Sequence, residues 1–384
     1  MNYKLIVDEN IENATDAFGN IGETILQPGR AINNEILRDT DFLIVRSITK
    51  VNESLLNGTK VKFVGTATIG TDHIDQEYLK EKGIGFTSAK GCNSDAVVEY
   101  VFISIFRAAV EKKISLKGKS VGIIGCGNIG SRVARVARAF GFSIVLNDPP
   151  LQRETNDTRF RTLEEALACD IVSFHTPLNR NGVDNTFHLL NESNLSLIKP
   201  NAILINASRG EVIDNRALLD FMNKRDDVTL ILDVWENEPV FSPELLKRVF
   251  IASPHVAGYS LEGKMNGTKI VYDALCGWMK WKKEWIPDLP FVEEDEIQFL
   301  NSGSFEKEID RVLTAKYRPQ EDTSDMQKIS LFEADRRGKA FDELRKNYPL
   351  RREFTNYKIR GVVPKGPVRE GLKALGFRFL QDLF

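Results

Sequence analysis

One stretch restricts the fold of this chain more than any other: Val121-Gly122-Ile123-Ile124-Gly125-Cys126-Gly127-Asn128-Ile129-Gly130. An apolar run enters three glycines spaced G-x-G-x-x-G, and residues 131–140 continue as a helical stretch with few breakers. A strand, a glycine turn and a helix in that order make a site for a dinucleotide. Gly125 permits the tight turn, Gly127 lets the backbone approach a pyrophosphate, and Gly130 allows helix and strand to pack closely. The helix start, with Asn128 and Ile129 in its first turn, offers unpaired N–H groups and the positive end of its dipole to the phosphates. Asp148 follows Gly130 by 18 residues, at the end of the next apolar run. A carboxylate there accepts from the adenosine ribose hydroxyls and repels the extra phosphate of NADP. Pro149 and Pro150, not an arginine, stand beside it. The expected cofactor is NAD.

Around this motif, short apolar runs alternate with helix-period stretches over the first 260 residues. The expected strands are 4–7, 42–45, 63–66, 120–124, 144–147, 171–174, 203–206, 230–234 and 249–252. Such alternation predicts parallel sheets covered by helices on both faces. Residues 96–112 are apolar and free of Gly and Pro, which predicts one long helix, with Asn93 and Ser94 placed to cap its start. A length of 384 residues demands more than one core. The net charge of −2 gives no general attraction to nucleic acid or anionic membrane. Met1 to Asp8 reads as a strand rather than a signal peptide, and no apolar run approaches membrane-spanning length. Cys92, Cys126, Cys169 and Cys276 form no CxxC pair, which favours reduced thiols and a cytoplasmic location over disulfides or zinc.

The rhythm changes near residue 280. Residues 278–285 hold three of the four tryptophans, Pro287 and Pro290 follow, and the remaining residues no longer alternate recognisably. This predicts a third module. Within it, residues 336–353 carry seven basic side chains against three acidic ones. They form either a solvated helix face or a site for an anionic group such as phosphate.

Three later segments carry an Arg, a Glu and a His just past apolar strands: Asn206-Ala207-Ser208-Arg209-Gly210, Asp233-Val234-Trp235-Glu236-Asn237-Glu238-Pro239 and Ser253-Pro254-His255-Val256-Ala257-Gly258. Parallel α/β sheets bind ligands at the carboxyl ends of their strands. Oxidising a 2-hydroxy acid needs a base for the hydroxyl proton, a cation for the carboxylate and a hydride acceptor. His255 suits the first role because imidazole titrates near neutrality. Arg209 suits the second through its planar fork. Glu238 is placed to orient His255 and to favour its protonated form.

These segments, in this order after GCGNIG, resemble the D-isomer-specific 2-hydroxyacid dehydrogenase family over about residues 1–280. The resemblance implies a Rossmann NAD-binding lobe and a flavodoxin-like substrate lobe, both doubly wound parallel sheets, with a cleft between them. Further segments, from Val45 to Leu56, Phe63 to His73, His255 to Lys264 and Arg345 to Tyr348, are similar to the branch that oxidises a phosphorylated four-carbon acid in vitamin B6 synthesis. That branch carries a carboxy-terminal α+β module that makes a homodimer. The implied domains are 1–95 for the substrate lobe, completed by about 260–280, then 96–259 for the NAD lobe and 286–384 for dimerisation. Residue by residue, the resemblance puts Ser47, Thr68 and Tyr259 on the substrate, and Asp148, Thr176, Asp233 and Gly258 on NAD. Asp233 has a competing reading as a buried strand-end carboxylate satisfied by backbone N–H groups.

The other histidines receive lesser roles: His73 structural, His175 near the nicotinamide, His188 in a surface connection. Arg46, Arg345, Arg351 and Arg352 are candidates for a substrate phosphate, within one chain or across a dimer. The alternatives are another dehydrogenase of the family, such as one for 3-phosphoglycerate, and a non-catalytic NADH-sensing corepressor on the same fold.

Overall fold

The computed structural model describes residues 3–382, so the first two residues of the expected opening strand lie outside it. Contacts divide the chain into two units, residues 3–93 with 260–291 and residues 94–259 with 292–382.

The first unit is built on a five-stranded parallel sheet. Its spatial order is Gly22–Gln27, Tyr3–Asp8, Phe42–Val45, Phe63–Thr66 and Gly85–Ser88. Numbered along the chain this is 2-1-3-4-5, the flavodoxin-like order. Phe42–Val45 and Phe63–Thr66 are buried at every position, as central strands covered on both faces must be. The two strands the sequence did not reveal, Gly22–Gln27 and Gly85–Ser88, are the edges. Each pairs on one side only, and both mix glycine or polar residues with a few apolar ones, so no periodic signal forms. The tryptophan segment packs against the core of this unit, Trp281 and Trp285 partly buried and Trp278 at its exposed margin. Trp281 packs on Tyr3 and Phe42 with ring centroids 5.1 and 6.1 Å apart, and Trp278 lies 5.6 Å from Phe63.

The second unit holds a six-stranded parallel sheet in the order Val249–Ala252, Thr229–Leu232, Ile203–Asn206, Ile171–Phe174, Ser120–Ile124 and Ser143–Asn147. Beyond Ser143–Asn147, Phe160 makes an isolated parallel bridge to Leu146. That bridge stands where the outermost strand of the dinucleotide-binding order 3-2-1-4-5-6 belongs. The long helix, Ser94–Lys112, is buried around most of its circumference, as a helix apolar all round must be. Its expected capping is absent: Asn93 Oδ1 and Ser94 Oγ are buried without a hydrogen-bond partner.

The carboxy-terminal residues form an α+β module. Its small parallel sheet has the order Glu296–Gln298, Lys358–Arg360, Arg378–Phe379, and its helices are Phe305–Thr314, Pro319–Ser330, Ala334–Lys346 and Pro367–Ala374. Strands of two or three residues carry too little pattern to be read from sequence. The module shares the core of the NAD-binding sheet. Ile309, Leu313, Phe354 and Leu372 are buried with Phe106 and Phe140, and Arg107 bonds Asp310 at 2.9 Å. The N–H of Ala252 at the sheet edge donates to Thr323 Oγ1 at 2.9 Å, so the module also satisfies an edge strand.

Candidate active site

The glycine turn joins Ser120–Ile124 to the helix Asn128–Ala139. Gly125 has φ +87°, and a Cβ there would stand 2.7 Å from the His175 carbonyl carbon. A Cβ on Gly130 would stand 1.9 Å from the Gly125 oxygen. Both glycines are therefore steric necessities. Gly127 and Asn128 are exposed at the helix start and Ile129 is half-buried, leaving first-turn N–H groups accessible to an anion. Asp148 accepts from Cys126 N at 2.8 Å and from Leu151 N at 3.0 Å. Its carboxylate thus clamps the turn and caps the next helix, with further lone pairs left for a ribose hydroxyl.

Thr176 follows the strand Ile171–Phe174, and its Oγ1 is buried without a hydrogen-bond partner. His175 Nδ1 beside it is in the same condition, while Nε2 pairs with Ser173 Oγ at 2.9 Å. Burial pushes the His175 pKa down to about 3, so this ring is neutral. Two orphaned polar atoms packed against the glycine turn fit a polar ligand such as NAD.

The Arg, Glu and His segments leave the carboxyl ends of Ile203–Asn206, Thr229–Leu232 and Val249–Ala252. Asp233 organises the third. Its Oδ1 accepts from Ser253 Oγ at 2.6 Å, Val256 N at 2.8 Å and Ala257 N at 2.9 Å, and its carbonyl accepts from His255 N at 2.7 Å. Asp233 is 2% exposed, so the structural role weighed for it is present, and any contact with a cofactor falls to Oδ2. Burial pushes its pKa up, against the nearby His255 and the three donors. These bonds hold His255 at φ +58°, a left-handed conformation uncommon for residues other than glycine. Gly258 and Tyr259 follow in the same loop, both half-buried.

His255 Nδ1 meets Glu238 Oε2 at 2.8 Å, while Glu238 Oε1 accepts from Trp235 N at 2.8 Å. Burial pushes the Glu238 carboxyl up. His255, the Trp235 N–H and the Arg345 guanidinium outweigh it and hold the pKa below its ordinary value. The two side chains keep 32% and 20% exposure, so a ligand can reach the pair. Nδ1 is committed to Glu238, which leaves Nε2 as the ring nitrogen able to exchange a proton with a ligand.

Arg209 belongs to the same assembly through its loop. Asn206 Nδ2 donates to the Arg209 carbonyl at 2.9 Å, and a Cβ on Gly210 would fall 1.9 Å from the Trp235 carbonyl carbon. Glu236 then ties the loops together, accepting from Asn215 N at 3.1 Å and meeting His188 Nε2 at 2.8 Å. His188, read from sequence as a surface bystander, bridges Glu236 and Asp214, the latter at 3.6 Å. Each ring nitrogen faces a different carboxylate, an arrangement of cross-bracing. Because these partners are distant in sequence, no local signal reveals them.

Ser47 and Thr68 lie in the first unit, past the carboxyl ends of Phe42–Val45 and Phe63–Thr66. Ser47 is exposed. Thr68 Oγ1 donates to the Gly70 carbonyl at 3.2 Å and pairs with Thr66 Oγ1 at 2.8 Å. His73 Nε2 pairs with Thr66 Oγ1 at 3.1 Å. Arg351 is not placed for a ligand. It is 6% exposed and donates to the Ala96 and Ala257 carbonyls at 2.7 and 3.1 Å. Arg352 donates to Asn356 at 3.1 Å.

Residues 103–257 match the NAD-binding domain of D-isomer specific 2-hydroxyacid dehydrogenases. The erythronate-4-phosphate dehydrogenase of Marinobacter nauticus is 42% identical over 380 residues, covering 97% of this chain and 99% of that protein. The chain belongs to the erythronate-4-phosphate dehydrogenase family. The Proteus mirabilis enzyme of that name is 44% identical, covering 97% of this chain and 98% of its own. Residues 289–376 match a domain of unknown function, DUF3410. Among solved structures, the NAD+-bound 3-phosphoglycerate dehydrogenase of Entamoeba histolytica aligns with TM-score 0.62 and 26% identity, over 73% of this chain and 96% of its own. The unaligned quarter accords with a module added to the family's two lobes. The chain is an NAD-dependent oxidoreductase of the 2-hydroxyacid type.

Proposed function

We propose that this protein oxidises 4-phospho-D-erythronate to (R)-3-hydroxy-2-oxo-4-phosphooxybutanoate, a step of pyridoxal 5'-phosphate synthesis. The observation that carries the reading is the 2.8 Å His255–Glu238 pair at the carboxyl edge of an NAD-type sheet, in a chain related over its whole length to enzymes of that name.

NAD, when bound, supplies the hydride acceptor. Gly125, Gly127, Asn128, Ile129 and Gly130 would hold its pyrophosphate and Asp148 its ribose, Thr176 and Asp233 would meet its nicotinamide half, and Gly258 would be a further contact. His255 Nε2 takes the proton of the substrate 2-hydroxyl. Glu238 keeps the ring in the tautomer with Nδ1–H and stabilises the imidazolium that forms. Arg209 holds the substrate carboxylate and the oxygen that becomes a carbonyl. Ser47, Thr68 and Tyr259 contact the rest of the substrate. The domain limits 1–95, 96–259 and 286–384, a homodimer and a cytoplasmic location complete the proposal. Four buried free cysteines agree with a reducing compartment, and no described helix is long and apolar enough to cross a membrane.

The test is NADH formation at 340 nm with 4-phospho-D-erythronate, 3-phospho-D-glycerate and D-erythronate, each with NAD and NADP. The proposal expects the highest kcat/KM with the first acid and NAD. Preference for 3-phosphoglycerate would reassign the substrate, and NADH binding without turnover on any acid would support a sensing role instead.

A further inference from the structure

The helix Ala334–Lys346 of the carboxy-terminal module lies along the loop that carries Glu238. Gly338 packs on Pro239 and Val240, where a Cβ would stand 3.4 and 3.3 Å away. Arg337 Nη1 donates to the Phe241 carbonyl at 2.9 Å. Phe341 is fully buried with its ring 5.9 Å from that of Phe241, which in turn lies 5.4 Å from Trp235. In the last turn of the helix, Arg345 sits with its guanidinium 6.0 Å from the centre of the Tyr259 ring and hydrogen-bonds that side chain. Tyr348, just past the helix, closes on Tyr259 edge to face at 5.9 Å. Arg345 Nε is buried with no partner. One helix thus touches residues 239, 240, 241 and 259, on both sides of the acid–base pair.

We infer that this helix is a brace for the His255–Glu238 pair, and that Arg345 is a positioning residue which sets the charge balance of the pair and the orientation of Tyr259. The inference rests on the proposed reaction for its kinetic consequences, and it gives the module a role within one chain besides any role in assembly. Glu238 is paired with His255 and feels the charge of Arg345, Asp233 holds the His255 backbone and feels its charge, and Arg345 lies beside Tyr259 with Glu238 and Asp342 as the nearby carboxylates that act on it. Removing the guanidinium leaves the Glu238 carboxylate opposed by the imidazolium alone. The protonated pair then becomes harder to discharge, and oxidation, which needs the neutral ring, loses activity at low pH. A bulk effect on folding would not move this limb.

Arg345→Met fills a similar volume without charge, and Arg345→Lys keeps the charge without the fork. For Arg345→Met the expected result is a fall of about tenfold in kcat at neutral pH. The acid limb of the kcat/KM profile should also move up by about half a pH unit. Affinity for NADH and oligomeric state should be unchanged. Arg345→Lys should restore the limb. NMR titration of the imidazole, identified by comparison with His255→Gln, should move upward in the same variant without requiring turnover. A shift seen there in a protein that oxidises no 2-hydroxy acid would sink the proposed reaction and keep the brace. An unmoved limb and titration overturn the inference. So does a loss confined to KM for the phosphorylated acid and absent with D-erythronate, since Arg345 would then read phosphate. Loss of NADH binding together with the thermal transition overturns it as well, by making Arg345 a residue of folding alone.

Discussion

His255 Nδ1 and Glu238 Oε2 stand 2.8 Å apart across 17 residues of sequence, and that contact commits Nδ1, so the proposed proton transfer falls to Nε2. Glu238→Gln preserves the shape of the pair and removes its charge. The amide no longer stabilises the imidazolium and accepts the wrong tautomer as readily. A loss of about 100-fold or more in kcat is expected, with NADH affinity kept. Stopped-flow and equilibrium binding measure the two separately, and a loss below about threefold would remove Glu238 from the mechanism. Because the folded carboxyl titrates below its ordinary value of 4.5, the pair stabilises the fold above about that pH. The contribution is lost as the pH falls through the folded value.

Asp148 bridges the glycine turn and the next helix through Cys126 N and Leu151 N. Asp148→Asn keeps one of the two acceptor oxygens, giving up the bond from Cys126 N or from Leu151 N, and loses the charge that repels a ribose phosphate. The ratio of kcat/KM for NAD over NADP should fall by about tenfold, equivalent to ~1.4 kcal/mol. An unchanged ratio would mean that cofactor choice is made elsewhere.

Phe341 belongs to the carboxy-terminal module yet is buried in the core of the NAD-binding sheet with Phe241 and Trp235. Phe341→Ala should cost about 3–5 kcal/mol in urea unfolding, since a large side chain is deleted from a packed interior. A cost below about 1 kcal/mol would show that the module is only lightly attached.

Asp322 is buried against the hydroxyls of Tyr317 and Tyr348, at 3.1 and 3.0 Å. Burial raises its pKa from 3.8 to about 7, with Asp233 adding to the rise and the tyrosines opposing it. Between those two values the folded chain holds a proton that the unfolded chain has released. Stability therefore falls as pH rises from about 4 to about 7, by an amount of order a few kcal/mol. Asp322→Asn should flatten that slope and raise Tm at pH 8 relative to pH 5. A native slope of the opposite sign in thermal melts would show that the carboxyl is ionised in the fold.

Much of this architecture was legible because it is local. The strand, turn and helix around Gly125 to Gly130 are contiguous, and each central strand announces itself as an apolar run. Arg209, Glu238 and His255 were legible as residue types placed past strand ends. Gly22–Gln27, Gly85–Ser88 and the short strands of the tail were not, since edge and very short strands need little apolar patterning to pair.

By itself, the sequence determined the parallel α/β class, the NAD fingerprint and the identities of Arg209, Glu238 and His255. All of these depend on residues near one another in the chain. Only the tertiary structure decided that Asp233 is enclosed by the His255 loop, that His188 braces Glu236 and Asp214, that Arg351 is interior, and that Arg345, 90 residues past His255 in sequence, packs beside Tyr259 in the His255 loop. Those facts rest on contacts between distant segments, where burial and neighbouring charge are set by packing and leave no trace in local pattern.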